Sequence, residues 1–138
     1  MKPLLSMVLC SAALGAIGCS GGESGSVDGG TPIAATLPEI EIKIFARSCV
    51  FSSCHGKDSP REMLSLVGPT YDALVNQPSR QVQGRVLVKP GDPEGSYLYE
   101  KITHAAPASG DRMPQLQPAL SAAAIQAVRD WIAQGAPR

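Results

Sequence analysis

Apolar residues Ile40, Ile44 and Phe45 fall on one face of a helix that opens with Thr36-Leu37-Pro38-Glu39. The opening has capping-box form: threonine at the N-cap, proline in the first turn where its missing N–H costs nothing, and glutamate at the third helical position. The pattern predicts a first helix that runs to about Ser48 and delivers Cys49 at its end. At the far end of the chain Ala124, Ile125, Val128, Trp131 and Ile132 line one side of a second helix, with Ser121 as cap and Gly135 and Pro137 as stop signals. Between these two the signals are shorter. Residues 70–75 read as a helical turn ended by Pro78, "RVLV" at 85–88 as an extended segment, and "KPGDPEG" after it as an irregular turn. Ser96 is placed to cap a short helix from Tyr97 to Ile102, and residues 103–118 form a long loop rich in proline, alanine and glycine. The fold class expected is mainly α, a small helical domain with long irregular loops.

The first eighteen residues have a different character. Met1-Lys2-Pro3 precedes an apolar run from Leu4 to Ile17, too short to span a bilayer and closing on small residues, which is the form of an export signal. Its end, Ala16-Ile17-Gly18-Cys19, resembles the lipobox of bacterial lipoproteins, with alanine where leucine is more usual. The resemblance implies cleavage before Cys19 and diacylglycerol on its thiol. Two or more acyl chains on one residue suffice for stable attachment without a transmembrane helix. Residues 19–35, "CSGGESGSVDGGTPIAA", then read as a flexible glycine- and serine-rich tether, and residues 36–138 as one domain of about a hundred residues. The expected location is the cell envelope, lipid-anchored on the periplasmic side of the outer membrane or at the cell surface. With 12 basic and 12 acidic residues, scattered and not clustered, nothing points to nucleic acid.

Cysteine arithmetic narrows the chemistry. Of four cysteines, Cys10 lies in the signal and Cys19 is assigned to lipid, so the domain keeps Cys49 and Cys54, in "SCVFSSCHG". In an oxidising compartment two thiols this close are expected to form a disulfide, bind a metal or attach a cofactor. A zinc set of Cys49, Cys54, His55 and His104 is disfavoured, because adjacent Cys54 and His55 splay apart and finger spacing is absent. The domain also has few residues to fill its middle, since aromatic residues make up 4% of the chain. Burying a porphyrin would contribute on the order of 10 kcal/mol at about 25 cal/mol per Å². An ordinary small helical core stapled by a disulfide satisfies the same composition.

"CVFSSCHG" is similar to the attachment signature of c-type cytochromes, and the segments after it keep that family's order: "VKPGDPEGSYLYEKI", then "GDRMP", then "LSAAAIQAVRDWIAQGAP". The resemblance covers the domain from about residue 38 onward. It implies a cytochrome c-like fold carrying one covalently bound haem c, with Cys49 and Cys54 as thioether attachments, His55 as proximal iron ligand and Met113 as distal ligand. Methionine ligation favours ferrous iron and raises the potential. With both axial positions filled, the implied role is electron transfer with redox partner proteins of the cell envelope, and not catalysis.

The signature departs from the usual spacing, with four residues between the cysteines in place of two. On a continuous helix, positions five apart lie about 140° apart around the axis, so the helix must break, and Ser52-Ser53 is the expected place. The same spacing suits a Cys49–Cys54 disulfide, which leaves a second reading open: a haem-free interaction module of the cell envelope. No nucleophile-elbow serine, phosphate-binding glycine loop or metalloprotease histidine pair supports an enzyme. His104 reads as an exposed loop residue and Met63 as packing. Arg47, Arg61 and Arg112 are candidate partners of haem propionates, and Trp131 is a core aromatic set against the first helix or the haem edge.

Overall fold

The computed structural model describes residues 32–58 and 60–138. The export signal at 1–18, the lipidated Cys19 and most of the 19–35 tether lie outside the described residues. Among those described, the architecture is helical with no strands, only three isolated bridges. No helix among them is long and apolar enough to cross a membrane.

The first helix, α1, comprises an α segment Leu37–Ile40, one π turn at Glu41–Phe45 and a last α turn Ala46–Ser48. Leu37, Ile40, Ile44 and Phe45 are buried on it, as the apolar pattern requires. The π turn was not visible in that pattern. It is pinned where Glu41 accepts two hydrogen bonds from Thr70, from the backbone N–H at 2.6 Å and the hydroxyl at 2.8 Å. Thr70 is fully buried and leads into α2, Tyr71–Leu74, so this contact joins the first two helices. The capping box expected at Thr36 does not form, because the threonine side chain makes no cap hydrogen bond. Glu39 instead pairs with Lys43 one turn on, at 2.6 Å.

Residues 85–88 are extended, as expected. Their backbone bonds 74–79 on one side, through Val88 N–H to Leu74 and Leu87 N–H to Gln77, and receives Tyr97 and Leu98 N–H on the other. The Lys89–Gly95 turn is organised by Asp92, whose carboxylate accepts from Gly95 N–H and from Lys89 Nζ, each at 2.8 Å. These bonds hold its carboxyl below the usual carboxylate range, the Lys89 bond foremost. A Cβ on Gly95 would meet an Asp92 carboxylate oxygen at 2.3 Å, so a side chain there would have to displace the carboxylate that organises the turn. Ser96 then precedes α3, Tyr97–Thr103, but does not cap it with its side chain. Its hydroxyl accepts from Lys89 N–H and donates to the Asp92 carbonyl, both at 2.8 Å, and so serves the turn.

The last helix, α4, spans Ala122–Ala133, and Ser121 caps it by accepting from Ala124 N–H at 3.2 Å. It packs on α1 and α3 through Ala124, Ala127, Val128, Trp131 and Ile132. Trp131 is fully buried in the same cluster as Phe45, and its indole N–H donates to the Pro137 carbonyl at 2.8 Å. Ile33 and Ala35, just before the helix, also lie against the core.

These two caps make a paired prediction. Ser121→Ala lowers stability by about 1 kcal/mol, the ordinary value of a helix N-cap, whereas Thr36→Ala, which breaks no cap bond, changes it by less than about 0.5 kcal/mol. Urea midpoints of the two variants measure the difference.

Candidate functional site: a sulfur- and imidazole-lined cavity

α1 ends at Cys49, whose backbone leaves the helical region at φ −123°, ψ −28°. The carbonyl of Phe45 accepts from both Cys49 and Val50 N–H, and the chain then curls through 51–55 with Cys54 N–H bonded to the Phe51 carbonyl at 2.8 Å. His55 N–H closes the loop by donating back to the Cys49 carbonyl at 3.0 Å. The break therefore falls at the first cysteine, earlier than the expected Ser52-Ser53. Its consequence is the one the spacing demanded: the second cysteine is no longer constrained to lie 140° around a helix from the first. Gly56 follows, buried, and a Cβ there would stand 3.1 Å from the Phe51 carbonyl oxygen and 3.3 Å from that of Val50. Backbone atoms cannot step aside as a flexible side chain can, so the tight loop calls for glycine.

A cavity of about 890 Å³ lies against this loop, within the ~300–1,000 Å³ of small-molecule and cofactor sites. Cys49, Cys54, His55 and Met113 all line it. Ile44, Phe45, Leu66, Ile102 and Val128, all buried, form apolar parts of its wall. Phe51, Met63 and Leu116 also border it and are 51%, 73% and 96% exposed, which marks them as its rim. Met63, expected to pack, is therefore a surface residue at the mouth. Rim residues Glu62, Met63 and Leu116 have φ of 55°, 57° and 58°, left-handed backbone in non-glycine residues of the kind that gathers at functional sites.

His55 is held from behind. Its Nδ1 lies 2.9 Å from the carbonyl oxygen of Leu64. A carbonyl only accepts, so in the neutral ring Nδ1 carries the hydrogen and Nε2 keeps the lone pair, the arrangement that orients a histidine toward a metal. The same stretch is laced to the cysteine loop twice more, by Arg61 N–H to the Cys54 carbonyl and Leu66 N–H to that of His55.

Both cysteines are free thiols and half-buried. Burial, reinforced by the neighbouring Cys54, pushes the Cys49 thiol up to about 12. It therefore stays protonated at neutral pH.

Met113 sits on the opposite side of the sequence, in the irregular stretch after α3, and packs partly against the core. Its N–H donates to the Lys101 carbonyl at 2.7 Å. Of the three arginines proposed as propionate partners, Arg61 lines the cavity, while Arg47 borders a smaller neighbouring hollow and Arg112 borders neither. Arg80, with Gln81, Tyr97 and Lys101, adds a polar sector that the sequence did not single out. His104 is exposed and away from the cavity, as expected for a loop residue. No group of three or more His, Cys, Asp or Glu side chains among the described residues is arranged to hold a metal ion.

No protein-family model, curated protein or solved structure matches the chain.

Two predictions test this site. In the reduced chain at about pH 8, roughly one Cys49 thiol in 10⁴ is ionised, and the thiolate is the nucleophile. Iodoacetamide followed by peptide mapping should therefore modify Cys54 well before Cys49; equal rates contradict the burial of Cys49. Gly56→Ala should lower stability by about 1–3 kcal/mol through overpacking, with the amides of Cys54 and His55 losing protection in hydrogen exchange before those of α4.

Proposed function

We propose that the chain is a membrane-tethered, monohaem c-type cytochrome-like lipoprotein that passes single electrons between partner proteins of the cell envelope, with Cys19 as its lipid anchor. The observation that carries this reading is the convergence of Cys49, Cys54, His55 and Met113 on one cavity of about 890 Å³. These residues fit a haem. The apolar wall suits a porphyrin face, the two free thiols suit its vinyl groups, and an imidazole with Nε2 left for iron faces the same space as a thioether.

In this reading Cys49 and Cys54 hold haem c. Such an attachment would add each S–H across one vinyl group and would need no oxidant or reductant. His55, oriented by the Leu64 carbonyl, and Met113 would hold the iron through Nε2 and the thioether sulfur. A haem so held supplies a one-electron iron couple. The protein contributes ligand identity, exclusion of water by its apolar wall, and a thioether that favours the ferrous state. With an imidazole and a thioether both assigned to the iron, a substrate would find no open place on it, and the role proposed is electron transfer without catalysis.

Matured in a bacterium competent for cytochrome assembly, the protein should give a pyridine haemochrome spectrum that survives extraction with acidified acetone. Met113→Ala should keep the haem, bind added imidazole at least tenfold more tightly than the native protein and show a lower midpoint potential. His55→Ala should fail to mature stably. Unchanged imidazole affinity and potential in Met113→Ala would remove Met113 from the iron. A colourless native protein would leave the haem-free, disulfide-stapled interaction module as the better account.

A further inference from the structure

Lys101 is buried, 7% exposed, in the middle of α3. Burial lowers a lysine's affinity for its proton, and here the pKa is held below the ordinary value chiefly for that reason. A buried ammonium normally needs a carboxylate. Among the described residues none lies within ion-pair distance of Nζ. Its partners are two backbone carbonyls, Ser109 at 2.9 Å and Asp111 at 2.6 Å, and the face of the Tyr97 ring 5.9 Å away. The backbone of the same residue makes a further bond, its carbonyl accepting from Met113 N–H at 2.7 Å. One residue thus grips the Met113-bearing segment at three points, 109, 111 and 113.

The neighbours on the same helix face act in concert. Tyr97 and Glu100 precede Lys101 by four and one positions. The Tyr97 hydroxyl reaches the Ser109 carbonyl at 3.1 Å. The Glu100 carboxylate accepts from Ala108 N–H and pairs with Arg85 at 2.7 Å. Gly110, between the two gripped carbonyls, has φ +65°, and a Cβ on it would stand 3.4 Å from Nζ. The chain there is folded around the ammonium.

From this geometry we infer that Lys101 is a positioning residue for Met113: its ammonium fixes the 109–111 backbone so that the methionine thioether is presented to the cavity. The inference rests on the proposed function for why Met113 must be placed, but the placement itself is a property of the chain with or without haem. An apolar side chain at 101 fills similar space yet offers no donor: the Ser109 carbonyl keeps only the Tyr97 hydroxyl, and the Asp111 carbonyl is left without a partner.

Lys101→Met tests this on the haem-free and the matured protein. In the haem-free chain the amides of Ala108 and Met113 should exchange at least tenfold faster than in the native sequence while those of α4 keep their protection, and the Met113 methyl resonance should move toward its random-coil position. In the matured protein the ferric thioether–iron absorption should weaken and added imidazole should bind at least tenfold more tightly. Native exchange rates at 108 and 113 overturn the inference. So does faster exchange spread evenly over α4, which marks Lys101 as a general stabiliser. Absence of haem in the native protein counts against the proposed function alone, since the exchange and methyl measurements still decide what Lys101 does.

Discussion

The structure depends on one backbone closure, the hydrogen bond from His55 N–H to the Cys49 carbonyl. A helix continued through 49–54 would set its two cysteines on different sides and no single cavity could meet both. Ending α1 at the first cysteine and returning the chain within six residues removes that conflict. Everything near the loop serves the return. Phe45 offers one carbonyl to two N–H groups, Gly56 admits a backbone approach that a Cβ would crowd, and the 61–66 stretch bonds the loop at Cys54 and His55.

The second half of the cavity is built on a different principle. Residues 105–120 have no regular structure, and of their larger apolar side chains Met113 and Leu120 pack partly on the core while Leu116 is exposed. Residues 108–111 are held by polar side chains projecting from α3: Tyr97, Glu100 and Lys101. Each is buried, and each has its polar group satisfied by loop backbone. Buried polar networks of this kind specify geometry strongly when complete. No buried side-chain nitrogen or oxygen among the described residues lacks a partner. A helix end that presents thiols and imidazole thus faces a loop that presents a thioether. The apolar residues that would close an ordinary core, such as Phe45, Ile102 and Val128, line the space between them.

How much of this was legible in the sequence follows from the range of each interaction. α4 was readable because its apolar stripe, Ser121 cap and Gly135 stop are local and mutually consistent. α1 was readable as a helix but not as one interrupted by a π turn, since Glu41 meets Thr70 across a separation of 29 residues. Thr36 and Ser96 carried cap signals, yet neither caps with its side chain. Thr36 makes no cap bond at all, and the hydroxyl of Ser96 is taken by the Asp92 turn. Cys49, Cys54, His55 and Met113 were singled out by the resemblance to c-type cytochromes, and all four line the cavity. Lys101, Tyr97 and Arg80 were not, because a lysine or arginine in a sequence reads as solvated charge until burial and partners are known. Met63 erred in the other direction, an apolar residue exposed at the rim.

The claim beneath this account is that the two sulfurs of the 49–54 loop are bonded to a tetrapyrrole. Tryptic cleavage after Arg47 and Lys57 isolates the loop as the peptide 48–57, so intact mass and fragmentation of that peptide, from protein matured in a host competent for cytochrome assembly, read the bond directly. The account predicts a peptide heavier by one haem, attached at both Cys49 and Cys54. A peptide carrying no haem and two hydrogens lighter than its dithiol form, the mark of a Cys49–Cys54 disulfide, contradicts it.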